Sequence, residues 1–188
     1  MNLLLAGPPG VGKSTIGRLC AERLDYTFID IDEKIVARAR TSISEIFAQQ
    51  GEAAFRVLER EAVEKAVAQD GRVIALGGGA LLDRNNRRLA TTTGPVVCLR
   101  AREESIRTRL GASRERPLLD EEKGGAALRT LLGERAAHYD SFALQLQTDR
   151  LTPEAAAECI VAELMPWQST VQTTSGGHKL LLGTCART

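Results

Sequence analysis

The octapeptide Gly7-Pro8-Pro9-Gly10-Val11-Gly12-Lys13-Ser14 constrains this chain more than any other stretch, because it fixes a strand, a loop and a helix in that order. It satisfies G-x-x-x-x-G-K-[ST] in full. The apolar run Asn2–Ala6 before it is predicted as a buried strand, and Lys13–Leu24 after it as an amphipathic helix. Glycines let the backbone turn its N–H groups inward without Cβ clashes, forming a concave anion nest, and the following helix adds its N-terminal dipole. Lys13 is expected to reach the β- and γ-phosphates of a nucleotide, and the Ser14 hydroxyl to hold Mg²⁺. The expected ATP contacts in this stretch are Gly10, Val11, Gly12, Lys13, Ser14 and Thr15.

Beyond the octapeptide, apolar runs alternate with amphipathic segments, the pattern of a parallel sheet with helical crossovers. Further strands are predicted at Thr27–Ile31, Arg72–Leu76, Pro95–Arg100 and Ala143–Gln147. Ser42 and Glu45 read as a capping box, and Gly51 breaks the chain before a long helix over Glu52–Gln69. Helices are also predicted over Arg102–Leu110, Ala126–Tyr139 and Pro153–Leu164. The length of 188 residues suits one α/β domain, assigned to residues 1–165. Two segments escape the alternation. Residues 111–125 are polar, glycine-flanked and rich in both charge signs, as expected of a mobile active-site lid. Residues 166–188 lose periodicity and are expected to be a disordered tail.

A net charge of +1 offers no field to recruit nucleic acid or an anionic membrane. The run Met1–Ala6 lacks a basic leader and stops at Gly7, so no signal peptide is expected, and no stretch approaches a membrane span. Four scattered cysteines without His neighbours point to reduced thiols in a cytoplasmic protein. Only five of the 25 basic residues are lysine; genomic base composition is one reading of that excess of arginine, and a subset of arginines gripping phosphate or carboxylate with a planar fork is the other.

The class of phosphate-binding protein can be narrowed. No Asn-Lys-x-Asp motif is present to read a guanine base, and the run Val73–Leu76 ends in Gly77-Gly78-Gly79 without an acid. The acids lie instead at Asp30 and Asp32, which leaves a small-molecule kinase. Two residues apart in an extended segment, these carboxylates would share a face, one holding a Mg²⁺-bound water and the other an acceptor hydroxyl. Capping of a helix that starts near Glu33 is the other reading. Arg56 leaves the apolar face beside Phe55, and Glu59 can orient it; pattern alone equally allows a surface ion pair. Three consecutive glycines after a buried strand allow backbone to press against a ligand. Arg116, in Arg116-Pro117-Leu118-Leu119, is either a lid arginine for the γ-phosphate or a solvated charge, with Arg109 before it and Arg135 beyond.

Taken in order, the phosphate loop, Asp-x-Asp, Phe-Arg-x-x-Glu, the triple glycine and Arg-Pro-Leu-Leu resemble the shikimate kinase family over Met1 to about Leu164. The resemblance implies a three-layer α/β/α P-loop kinase fold with a five-stranded parallel sheet of order 2-3-1-4-5. It implies transfer of phosphate from Mg-ATP to the 3-hydroxyl of shikimate, a step towards chorismate and the aromatic amino acids. By carry-over, Asp32 binds the acceptor hydroxyls, Asp30 supports Mg²⁺, and Arg56 and Arg135 clamp the carboxylate. Gly77, Gly78 and Gly79 face the acceptor ring, and Lys13 and Arg116 contact the phosphates. Arg109 and Arg150 fall near the nucleotide base, and the family suggests a monomer. Gluconate kinase is the alternative acceptor class on the same fold, and a nucleotide-binding relative without turnover the alternative of another kind.

Overall fold

The structure is a computed structural model that describes residues 1–111 and 124–169. Five strands, β1 (Leu3–Ala6), β2 (Thr27–Asp30), β3 (Arg72–Ala75), β4 (Val96–Arg100) and β5 (Leu144–Gln147), form one parallel sheet in the order β2-β3-β1-β4-β5. The expected order is therefore observed. Each strand lies within its predicted run and is shorter by one residue. Strand β1 is central, pairing Leu4 with Ile74 on one side and Leu5 with Val97 on the other.

Alternation along the strands divides the interior. Leu4, Ala6 and Ile74 pack with Ile35, Ile46 and Phe55, whereas Leu3, Leu5 and Val97 pack with Ile16, Cys20 and Ile160. Both faces of the sheet are thus covered, which explains why the three inner strands β1, β3 and β4 read as nearly unbroken apolar runs. Helices α1 (Lys13–Leu24) and α8 (Pro153–Ser169) cover one face. Helices α2 (Ile31–Ala39), α3 (Ile43–Val67) and α4 (Arg84–Thr93) cover the other. Cys20 and Cys98 are buried thiols, pushed up by desolvation to about 12 and about 11.

Several helical bounds differ from expectation. The Ser42–Glu45 capping box forms, and Gly51 breaks α3 into two helical stretches as expected: its φ/ψ of 79/174 is non-helical backbone that glycine alone adopts comfortably. Helix α4 had no apolar stripe to announce it, and it starts at Asp83, whose side chain accepts from the Asn85 and Asn86 N–H groups. The predicted helix Ala126–Tyr139 is two, α6 (Gly124–Glu134) and α7 (Ala136–Asp140), divided at Arg135 with φ/ψ of −102/4. Helix α5 spans Glu103–Gly111, and α8 continues five residues past its predicted end. Among the described residues no helix is long and apolar enough to cross a membrane. Residues 112–123, most of the expected lid including Arg116, and residues 170–188 of the expected tail lie outside the described residues.

Candidate active site

The carboxyl ends of β1, β2, β3 and β5 open on a cleft of about 680 Å³. Loops after parallel strands gather at one edge of the sheet, so this is where residues distant in sequence can meet. The phosphate loop forms its floor. Gly7, Gly10 and Gly12 hold φ of 131, 75 and 103, and Gly12 starts α1 with no side-chain cap and no acidic residue in the first turn. The amides of that turn are left for an anion. Lys13 arches back over the loop, its Nζ donating to the Gly7 and Pro8 carbonyls, each at 2.8 Å.

Asp30 takes up the capping role that the sequence allowed and also bonds the phosphate-loop serine. Its Oδ2 accepts from Ser14 Oγ at 2.5 Å, and its Oδ1 caps α2 by accepting from the Asp32 and Glu33 N–H groups at 3.0 and 3.3 Å. The extended-strand argument for Asp30 and Asp32 is therefore corrected: β2 ends at Asp30, and Asp32 lies in the first turn of α2. The cap turns the chain before a second extended residue can form. Even so, both carboxylates line the cleft.

The Ser14–Asp30 pair fits Mg²⁺. Hydroxyl and carboxylate are hard oxygen donors, and among the described residues no cluster of three or more His, Cys, Asp or Glu could cage an ion. Mg²⁺ characteristically takes one or two protein oxygens and completes its shell with phosphate and water.

The acceptor end is organised around the triple glycine. A Cβ at Gly77 would lie 2.8 Å from Glu59 Oε1 and 3.0 Å from Asp32 Oδ1. One at Gly79 would lie 3.2 Å from both Arg56 Nη2 and Arg135 Nη1. Two carboxylates and two guanidiniums thus close on three residues of bare backbone. Gly78 packs against Pro9 of the phosphate loop, and its carbonyl accepts from Tyr139 Oη at 2.8 Å. Arg56 is aimed by two acids: Nη1 donates to Glu59 at 2.7 Å, and Nε and Nη2 to Glu52 at 3.2 and 2.9 Å. Burial pushes the Glu59 carboxyl up, against the opposing pull of Arg56, and the Asp32 charge adds to the rise. Arg135 owes its place to the break between α6 and α7.

At the far end, Arg109 is tied down. Nη1 donates to Val11 O at 3.2 Å and Thr148 Oγ1 at 3.0 Å, and Nη2 to Thr148 O at 2.9 Å. Arg150 is exposed in the turn before α8 and is not among the residues lining the cleft, whereas its neighbour Leu151 is. Gly10, Val11, Gly12, Lys13, Ser14, Thr15, Asp30, Asp32 and Arg109 share the cleft; Arg56, Arg135, Gly77, Gly78 and Gly79 form the adjoining cluster. Thr148 and Leu110 escaped the sequence reading, whereas Glu59 orients Arg56 as that reading allowed. The available signal for Thr148 was its position directly after the fifth predicted strand.

A sequence profile of the shikimate kinase family matches residues 9–165. The chain is 40% identical over 169 residues to a shikimate kinase of Xanthomonas axonopodis pv. citri, covering 89% of this chain and 94% of that one. Among solved structures it resembles shikimate kinase from Acinetobacter baumannii in complex with shikimate, with a TM-score of 0.81, 31% identity and coverage of 91% and 95%. A gluconokinase from Sinorhizobium meliloti matches with a TM-score of 0.54 at 17% identity, covering 89% of this chain and 97% of that one, a likeness of fold alone.

Proposed function

The chain belongs to the shikimate kinase family, and on that premise we propose how its residues divide the transfer of phosphate from ATP to the 3-hydroxyl of shikimate. It is an ATP-dependent kinase acting on shikimate, with Mg²⁺ as cofactor, in the route to the aromatic amino acids. The observation that carries the division of labour is the convergence of Arg56 and Arg135 on Gly79, beside Asp32 and Glu59 at Gly77.

Shikimate is a small carboxylate bearing hydroxyls. Arg56 and Arg135 take the carboxylate with forked, charge-assisted hydrogen bonds, and Asp32 accepts from the hydroxyls. The bare backbone of Gly77–Gly79 lets the ring lie close. The backbone amides of Gly10, Val11 and Gly12 hold the nucleotide phosphates, with the hydroxyl of Thr15 beside them, and Lys13 exchanges the Gly7 and Pro8 carbonyls for phosphate oxygens. Ser14 and Asp30 would hold Mg²⁺, Asp30 through water, and the ion supplies neutralisation of phosphate charge. Arg109 flanks the base, and Arg150 lies near that end. Arg116 is assigned to the phosphates by the family motif.

In the reaction the acceptor oxygen attacks the γ-phosphorus, the bond from that phosphorus to the β,γ-bridging oxygen breaks, and ADP leaves. Asp32 orients the hydroxyl and receives its proton as the new bond forms. Phosphoryl transfer has a loose transition state, so positioning and charge stabilisation contribute most of the acceleration. The assigned setting is a monomer in the cytoplasm.

The test is ADP release from Mg-ATP with shikimate, gluconate or no acceptor. Release that depends on shikimate alone is expected. Equal release with gluconate, or release independent of acceptor, would overturn the reading.

A further inference from the structure

A second concavity, of about 330 Å³, lies between α2, α3 and the edge of the sheet and shares no lining residue with the catalytic cleft. Its size falls at the lower end of the range of about 300–1,000 Å³ seen for small-molecule sites. Ile29, Leu58 and Ala62 contribute to an apolar floor, and every charged residue that lines it is positive: Lys34, Arg38, Lys65 and Arg72.

Two of these cations are already engaged. Arg38 pairs with Glu61, and the Arg72 guanidinium donates to the Lys65 and Ala66 carbonyls and the Gln69 side chain. Lys34 and Lys65 have no ion pair among the described residues, and the nearby Glu33 is held by Arg18. In a chain whose positive charge is mostly arginine, the described lysines other than Lys13 are these two, and both line this groove. The charged side chains that line the groove are all cationic, and the carboxylate beside them, Glu61, is taken by Arg38, so a ligand carrying an ammonium group is disfavoured. The complement of an apolar floor under two unpaired ammonium groups is a small molecule with an apolar body and one carboxylate.

We propose that this groove binds a small apolar carboxylate between Lys34 and Lys65, and that filling it works against acceptor binding. The second part rests on the assignment of Asp32 and Arg56 to the acceptor. Lys34 follows Asp32 by two residues on α2, and Leu58 follows Arg56 by two on α3. Acceptor binding draws Asp32 and Arg56 onto one small molecule, whereas a ligand wedged between α2 and α3 holds those helices apart. Two ligands that favour different spacings of the same helices oppose one another, reciprocally.

The test is calorimetry on the full chain with 3-phenylpropanoate, using 3-phenylpropan-1-ol and acetate as controls. The carboxylate is expected to bind at least about tenfold more tightly than either control, since each lacks one half of the complement. Lys34→Ala/Lys65→Ala and Ala62→Phe, which fills the floor and keeps both charges, should each abolish that preference. Both should retain wild-type kcat and shikimate KM without the probe. Saturating probe should raise the shikimate KM of the wild type several-fold and leave that of Lys34→Ala/Lys65→Ala unmoved. Equal binding by wild type and both variants, or an unmoved shikimate KM at saturation, overturns the proposal. Binding is read without turnover, so failure of the kinase reading shows separately, as absence of shikimate-dependent ADP release before any probe is added.

Discussion

The nucleotide cradle and the acceptor pocket lie side by side at the same sheet edge, yet they are built on opposite plans. The proposed cradle is one continuous stretch, Gly7 to Ser14, with three positive-φ glycines and a helix start that carries no side-chain cap, so that recognition there is assigned to backbone amides. The acceptor pocket is assembled from side chains on separate elements: Asp32 on α2, Arg56 and Glu59 on α3, and Arg135 between α6 and α7, all set around Gly77–Gly79. A phosphate can be recognised by any inward-facing row of N–H groups, so a local motif suffices. A carboxylate and hydroxyls at fixed spacing need charged groups in three dimensions, and only the complete fold brings those together.

If the two plans are separate, substitutions should divide cleanly between them. The largest effect is expected for Lys13→Ala. Loss of a donor aimed at developing phosphate charge should lower kcat by about 10²–10³-fold while the shikimate KM stays near wild type, measured by steady-state kinetics. Next comes Arg56→Ala, which removes charged hydrogen bonds worth about 1.5–3 kcal/mol and should raise the shikimate KM by about 10–100-fold. Its ATP KM should not move.

Paired glycine substitutions sharpen the contrast at a smaller amplitude. Gly10→Ala introduces a Cβ at φ 75 and 2.6 Å from Leu110 Cγ, so it should raise the ATP KM several-fold. Gly79→Ala sets a Cβ 3.2 Å from both clamp guanidiniums and should raise the shikimate KM instead. If either variant shifts the other substrate's KM, the division is broken.

The smallest expected effect concerns pH and belongs to the acceptor half. Burial holds His138 below its ordinary value of 6.5, and the charges of Arg87 and Arg135 add to the shift. The unfolded imidazole then takes up its proton at a higher pH than the folded one. Stability should therefore fall as pH drops through 6.5 towards the folded value, and His138→Gln should flatten that slope in denaturant titrations between pH 5 and 8.

The same contrast explains what could be read from residues alone. Helix α1 was legible to both ends, because the motif fixes its start and its apolar spacing continues to Leu24. Asp30 was recognised, but not its dual use, since strand or cap depends on where β2 turns. Arg56 could not be told from a surface ion pair until Gly79 and Arg135 stood beside it. Thr148 carries no pattern, because its importance lies in a bond to Arg109, 39 residues away. The break at Arg135 was hidden by helical periodicity that runs through it. The expected sheet order came from the family resemblance, since apolar runs reveal strands without saying which are neighbours.

The most direct measurement is calorimetric titration of shikimate, without nucleotide, into Lys13→Ala and Arg56→Ala side by side. The expected result is wild-type affinity for Lys13→Ala and a loss of about 10–100-fold for Arg56→Ala. Equal weakening in both, or wild-type affinity in Arg56→Ala, would contradict the separation of a backbone cradle from a side-chain clamp.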